Sequence, residues 1–135
     1  MATYANQPRA TDEHLRSWMQ SLIRYVQSNQ PDLTNRQLAL MLIVYLNPGP
    51  HTVRGLAARL GVSKPVITRA LNTLSALGYL KRKRDEADLR NVLVEHTPTG
   101  QSFLKVFAEL IEHADEPSAS GRARNSDTAR KSVPA

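Results

Sequence analysis

The sequence predicts a mainly α-helical protein with one small β-hairpin, and three observations predict it. Apolar residues recur at three- and four-residue intervals in most of the chain between Thr11 and Ala114, the rhythm of helices with one buried face. Two short extended segments flank a charged tip between Gly78 and Glu95. The run Ser63 to Asn91 joins a helix with a polar outer face to that hairpin and holds seven basic side chains.

From Thr11 onward, Leu15, Trp18, Met19, Leu22, Ile23 and Val26 mark a first amphipathic helix that ends before Pro31. Thr34 and Gln37 form a capping box for a second helix. Leu38 to Leu46 is apolar nearly all round, which predicts a central, buried helix stopped by Asn47-Pro48-Gly49-Pro50. Thr52 can cap a short third helix bearing Leu56, Ala57 and Leu60, and Gly61 supplies the left-handed residue that ends it. Ser63 is the expected cap of the fourth helix. Pro98 opens a last helix with the stripe Phe103, Leu104, Phe107, Leu110, Ile111 and Ala114, expected to stop near Glu116.

The third and fourth helices read as a helix-turn-helix, because Ala57, Gly61 and Ile67 supply the small, left-handed and branched residues that a tight crossing requires. In the fourth helix Val66, Ile67, Ala70, Leu71, Leu74 and Leu77 must face a core, so Lys64, Pro65, Thr68, Arg69, Asn72 and Thr73 point outward. A guanidinium suits guanine, an amide suits adenine, and a hydroxyl serves either, which makes this a face able to read base edges in a major groove. An ordinary helical hairpin would leave Lys64, Thr68, Arg69 and Asn72 without a purpose. Thr52, Arg54 and Ser63 adjoin this face and complete its expected DNA contacts.

After Gly78, the segments Tyr79 to Arg84 and Asn91 to Glu95 form a hairpin around Asp85 to Arg90. The stretch resembles the MarR family of winged helix-turn-helix transcription regulators. Gly78, Leu80, Arg82, Asp85, Asp88, Arg90, Val94, Thr97 and Gly100 fall where that family's pattern has them, and the likeness runs from about Leu33 to Phe103. The resemblance implies that Arg90 reaches into a minor groove while Asp88 holds its guanidinium. The chemistry agrees, since a narrow minor groove attracts arginine and a carboxylate two residues away can fix the planar fork. Four consecutive cations, Lys81 to Arg84, suit phosphate contacts. Alternation separates Lys81 and Lys83 from Arg82 and Arg84. Lys83 and Arg84 near the tip are the expected contacting pair, and Arg82 is expected to be partly structural.

The resemblance also implies a homodimer built by the first and last helices. Because the last helix is expected to stop near Glu116, a smaller interface than is typical of the family is expected. The family's effector pocket implies a candidate small-molecule site at Trp18, Tyr25 and Tyr45, set against the plainer reading of these as core or interface aromatics. The expected organisation is a flexible N-terminus over 1–10, a dimerisation helix over 11–32, a winged helix-turn-helix DNA-binding domain over 33–97, a C-terminal dimerisation helix over 98–116 and a disordered basic tail over 117–135.

Composition bounds the function. The 135 residues are enough for one domain with a real core, and a net charge of +6 favours polyanionic partners. Half of that charge belongs to residues 117–135, so the case for DNA rests on where cations cluster. With no cysteine there is no disulfide and no thiol switch, and His14, His51, His96 and His113 show no metal-site spacing. No nucleophile with its base, no carboxylate pair in an apolar setting and no phosphate-binding glycine loop is present, which excludes the common enzyme classes; no cofactor is expected. No apolar run approaches the ~20 residues of a membrane span, and a cytoplasmic, nucleoid-associated bacterial protein is expected. The expected activity is sequence-specific binding of double-stranded DNA as a transcriptional regulator, a repressor by expectation, on a pseudo-palindromic operator. The alternative is a winged-helix module that binds another protein, which steep salt-dependent retention on random duplex would exclude.

Overall fold

The computed structural model describes residues 9–112. Its elements run α1 (Ala10–Gln27), α2 (Asn35–Leu46), β1 (His51–Thr52), α3 (Val53–Leu60), α4 (Lys64–Ala76), β2 (Leu80–Arg84), β3 (Val92–His96) and α5 (Pro98–Glu112). The fold is therefore mainly helical with a small antiparallel sheet. The chain divides into two compact units, residues 32–106 and, among the described residues, 9–31 with 107–112. The expectations for residues 1–8, for Ala114 and the end of the last helix near Glu116, and for the tail over 117–135 lie outside the described residues.

The unit 32–106 begins with the capping box foreseen at α2: Gln37 N–H donates to Thr34 Oγ1 at 3.2 Å, and Thr34 N–H donates to Gln37 Oε1 at 2.9 Å. Leu40, Met41 and Val44 of α2 are fully buried. Burial is not all round, however: Leu46 is 74% exposed. Thr52 caps α3 by accepting from Gly55 N–H at 3.0 Å. Gly61 ends α3 at φ 66°, and Val62 N–H then closes on Ala57 O at 3.1 Å.

Ser63 occupies the cap position of α4, but its side chain makes no capping bond. Its carbonyl accepts from Val66 and Ile67 N–H instead, and Pro65 in the first turn has no N–H to satisfy. The inner face of α4 buries Ile67, Ala70, Leu71 and Leu74. These side chains, with Leu56, Leu80 and Val94, form one core. At about 1.5–3 kcal/mol for each fully buried large aliphatic, this core fixes α4 against α2 and the sheet.

The sheet has the order β1-β3-β2, all antiparallel. The two-residue β1 adds a third strand to the hairpin expected from the sequence, pairing His51 with Val94 and Thr52 with Leu93. Across the hairpin Leu80 pairs with His96, Arg82 with Val94 and Arg84 with Val92, whereas Lys81 pairs with Glu95 and Lys83 with Leu93. Opposed residues share a face, so Arg82 and Arg84 stand on the same side as buried Leu80 and Val94.

A clasp joins the base of the hairpin to α2 and the start of α5. Tyr45 Oη donates to the carbonyl of Tyr79 at 2.7 Å, with that of Thr97 at 3.2 Å, and accepts from Thr97 N–H at 2.9 Å. Thr97 Oγ1 donates to Gly78 O and accepts from Gly100 N–H. A Cβ at Gly100 would collide with the Tyr45 hydroxyl and the Tyr79 carbonyl, so only glycine fits there. His96 stacks on Tyr45 at 4.2 Å, and Tyr79 stacks on Phe103 at 4.5 Å.

In the other unit, acidic Asp12 and Glu13 complement the N-terminal dipole of α1. Asn29 at φ 60° turns the chain after its last residues. Tyr25 packs edge-on against Phe107 at 5.9 Å and donates its hydroxyl to Pro31 O. The α1 stripe read from the sequence, Leu15, Trp18, Met19, Leu22, Ile23 and Val26, is 41–76% exposed.

Candidate nucleic-acid interface

The outer face of α4 is as the sequence predicts. Lys64, Pro65, Thr68, Arg69, Asn72 and Thr73 are all exposed, while the opposite side of the helix is buried in the core. A helix held by one face and open on the other can enter a groove without unfolding anything.

Along one flank of α4 runs a groove of about 280 Å³ between the helix-turn-helix and the hairpin, lined by Val53, Arg54, Lys64, Thr68, Arg82, Arg90, Asn91 and Val92. Four of these side chains are cationic and none is a carboxylate, so the groove suits a polyanion. Arg82, expected to be partly structural, is exposed and lines this groove. Arg82 shares its strand face with buried Leu80, while Lys83 shares its face with Lys81. Arg84 is exposed on the groove side of the strand, and Lys83 on the other.

The hairpin tip is locked by hydrogen bonds to its own carboxylates. Asp85 Oδ1 accepts from Ala87 N–H at 3.0 Å, and Asp88 Oδ1 accepts from Arg90 N–H at 3.1 Å, two successive turns of the Asx kind. Asp88 also grips the Arg90 guanidinium with both oxygens, from Nε at 3.0 Å and from Nη2 at 3.1 Å. The Arg90 side chain is nevertheless 83% exposed, against 36% for Asp88. The pair therefore aims the cation outward without hiding it. The hydrogen bonds from the Arg90 side chain and backbone hold the Asp88 carboxyl below the usual aspartate range, with a smaller contribution from the charge of Arg54.

Thr52 and Ser63, expected near DNA, sit at the N-terminal ends of α3 and α4; the Thr52 hydroxyl is engaged by its cap, and Ser63 is exposed. Of the candidate effector residues, Trp18 and Tyr25 belong to one unit and Tyr45 to the other. The hydroxyls of both tyrosines are bonded to main-chain groups of the fold. Among the described residues no group of three or more His, Asp or Glu could hold a metal ion, and no helix is long and apolar enough to cross a membrane.

Comparison with protein families matches residues 32–90 to the MarR family. Comparison with curated proteins finds no match. Among solved structures, a transcriptional regulator from Thermotoga maritima is similar at 23% identity and a TM-score of 0.61, over 90% of this chain and 89% of that one. S. aureus MepR, solved as a complex with DNA, is similar at 19% identity and a TM-score of 0.61, over 90% and 92% of the two chains. The transcriptional regulator BldR of Sulfolobus solfataricus is similar at 21% identity and a TM-score of 0.54, over 93% and 100%. Residues 32–90 are thus similar to the MarR family, and the chain shares the winged helix-turn-helix fold of these solved structures.

Proposed function

We propose that the protein is a sequence-specific regulator of transcription that binds double-stranded DNA as a homodimer, with repression as its expected direction. The observation that carries this reading is the exposed polar face of α4 beside a groove lined by four cations and no carboxylate, one of the four being the wing Arg90, aimed outward by Asp88. In the proposed complex α4 lies in the major groove, where Arg69 and Asn72 meet base edges. Arg54, Lys64, Arg82 and Arg84 meet phosphates. Arg90 enters the adjoining minor groove, where a narrow A/T-rich stretch offers the strongest negative potential. Preorganisation by Asp88 spares the cost of ordering a long side chain on binding.

The homodimer rests on the exposed apolar stripe of α1, with Ile111 of α5 also exposed. A patch of this extent is unusual on a monomer, and a two-fold dimer would place two copies of α4 about one helical turn of DNA apart, on an inverted repeat. A DNA complex of the similar S. aureus MepR supports the reading. Selecting bound fragments from the source genome tests it: enrichment of a shared inverted repeat supports specific recognition, and recovery of fragments without any common sequence contradicts it.

A further inference from the structure

We infer that Arg36, in the first turn of α2, clamps a backbone phosphate of the bound duplex on the flank of α4 away from the wing; this rests on the proposed DNA binding. A second groove, of about 210 Å³, lies between the start of α2 and α4 and is lined by Arg36, Arg69 and Thr73 together with Thr34, Gln37 and small apolar contacts. At about 100° per residue around the α4 axis, the α4 residues of this groove, Val66, Arg69, Ala70 and Thr73, centre on the order of 170° from Lys64 and Thr68, which line the wing groove. The two grooves therefore border the base-reading face from opposite sides, as the two phosphate strands border a major groove.

The chemistry of the second groove calls for an anion. Arg36 is exposed at a helix N-terminus, where the backbone dipole is itself positive and a cation is disfavoured. Arg69 faces the same space, and no carboxylate lines it. The Arg36 guanidinium and the Thr73 hydroxyl across a shallow groove are donors that a phosphodiester takes, while Arg69 extends from the same space toward the base edges. Such a contact fixes the register of α4 in the groove and carries no sequence information of its own.

The test is equilibrium binding of the full chain and of its Arg36→Gln and Arg36→Lys variants to two duplexes of about 25 base pairs, one of mixed sequence and one selected from the source genome, between about 50 and 200 mM salt. Loss of one phosphate contact makes the slope of log Kd against log salt shallower by about 0.9, so that the Gln variant weakens about 3.5-fold less than the wild type over this range. The Lys variant keeps the charge and the slope. Equal slopes for wild type and the Gln variant overturn the inference while leaving DNA binding intact. A loss confined to a selected duplex, absent on the mixed-sequence one, also overturns it, by making Arg36 a base reader. Failure of the wild type to bind either duplex at 50 mM removes the parent reading and this one together.

Discussion

Replacing Tyr45 by phenylalanine removes one oxygen atom and with it the clasp between α2 and the base of the wing. In the wild type that oxygen donates to the Tyr79 carbonyl at 2.7 Å and accepts from Thr97 N–H at 2.9 Å. The ring itself remains to stack on His96, so the packing area is nearly unchanged. What is lost is the partner of two main-chain groups, at about 1–3 kcal/mol for a buried unsatisfied group. The site is only half-buried, and water recovers part of this, so we expect about 1–2 kcal/mol. For a unit of this size each kcal/mol lowers Tm by about 4–8 °C, giving a drop of about 4–16 °C in a thermal melt followed by circular dichroism. Gly100→Ala should cost more, because its Cβ collides with both the hydroxyl and the Tyr79 carbonyl. In the double variant the hydroxyl clash is gone, so the penalty should fall short of the sum of the two. A Tyr45→Phe melt within about 2 °C of the wild type, or strict additivity with Gly100→Ala, would refute the clasp.

Arg69→Ala should lower discrimination between a selected duplex and a random one by about 1–3 kcal/mol, while Lys64→Ala weakens both alike; equal losses on both duplexes for the Arg69 variant would contradict base reading. The Asp88 carboxyl, held low by Arg90, should titrate below the ordinary aspartate value of about 3.9 in the wild type and return toward it in Arg90→Ala. Because the folded-state value is depressed, the ordering of the wing tip is complete above that ordinary value and is lost as pH falls through the lowered one. Carboxyl NMR titrations with the same midpoint in both proteins would deny the coupling. Leu22→Glu, on the exposed face of α1, should convert a sedimenting dimer into a folded monomer; a wild type that is monomeric at micromolar concentration, with and without DNA, would remove the proposed dimer.

What the sequence discloses here is what depends on neighbours in the chain. The cap at Thr34, the cap at Thr52 and the left-handed Gly61 are local chemistry, and each forms as read. The Asp88 grip on Arg90 is equally local, because two residues of separation at a tight turn suffice to bring a carboxylate to a guanidinium. The outer face of α4 follows from periodicity alone. Features that depend on which element lies opposite were not legible. Ser63 looks like any cap, yet its side chain makes no capping bond. Arg82 looked partly structural until the pairing with Val94 put it beside the groove. Tyr45 could be read as a pocket aromatic or, more plainly, as a core one, and only the approach of residues 79 and 97 shows what its hydroxyl does. Arg36 carried no signal, since nothing in its own helix reveals that Arg69 lies across the groove.

Whether α4 and the wing read duplex DNA is decided by titrating the wild-type protein with a genome-selected duplex and its scrambled counterpart over a range of salt concentrations. A steep salt dependence is expected on both, from phosphate contacts, together with a preference for the selected duplex of about a thousandfold or more. Absence of binding to either duplex at 50 mM salt, or binding that is equally strong to both, would contradict that reading.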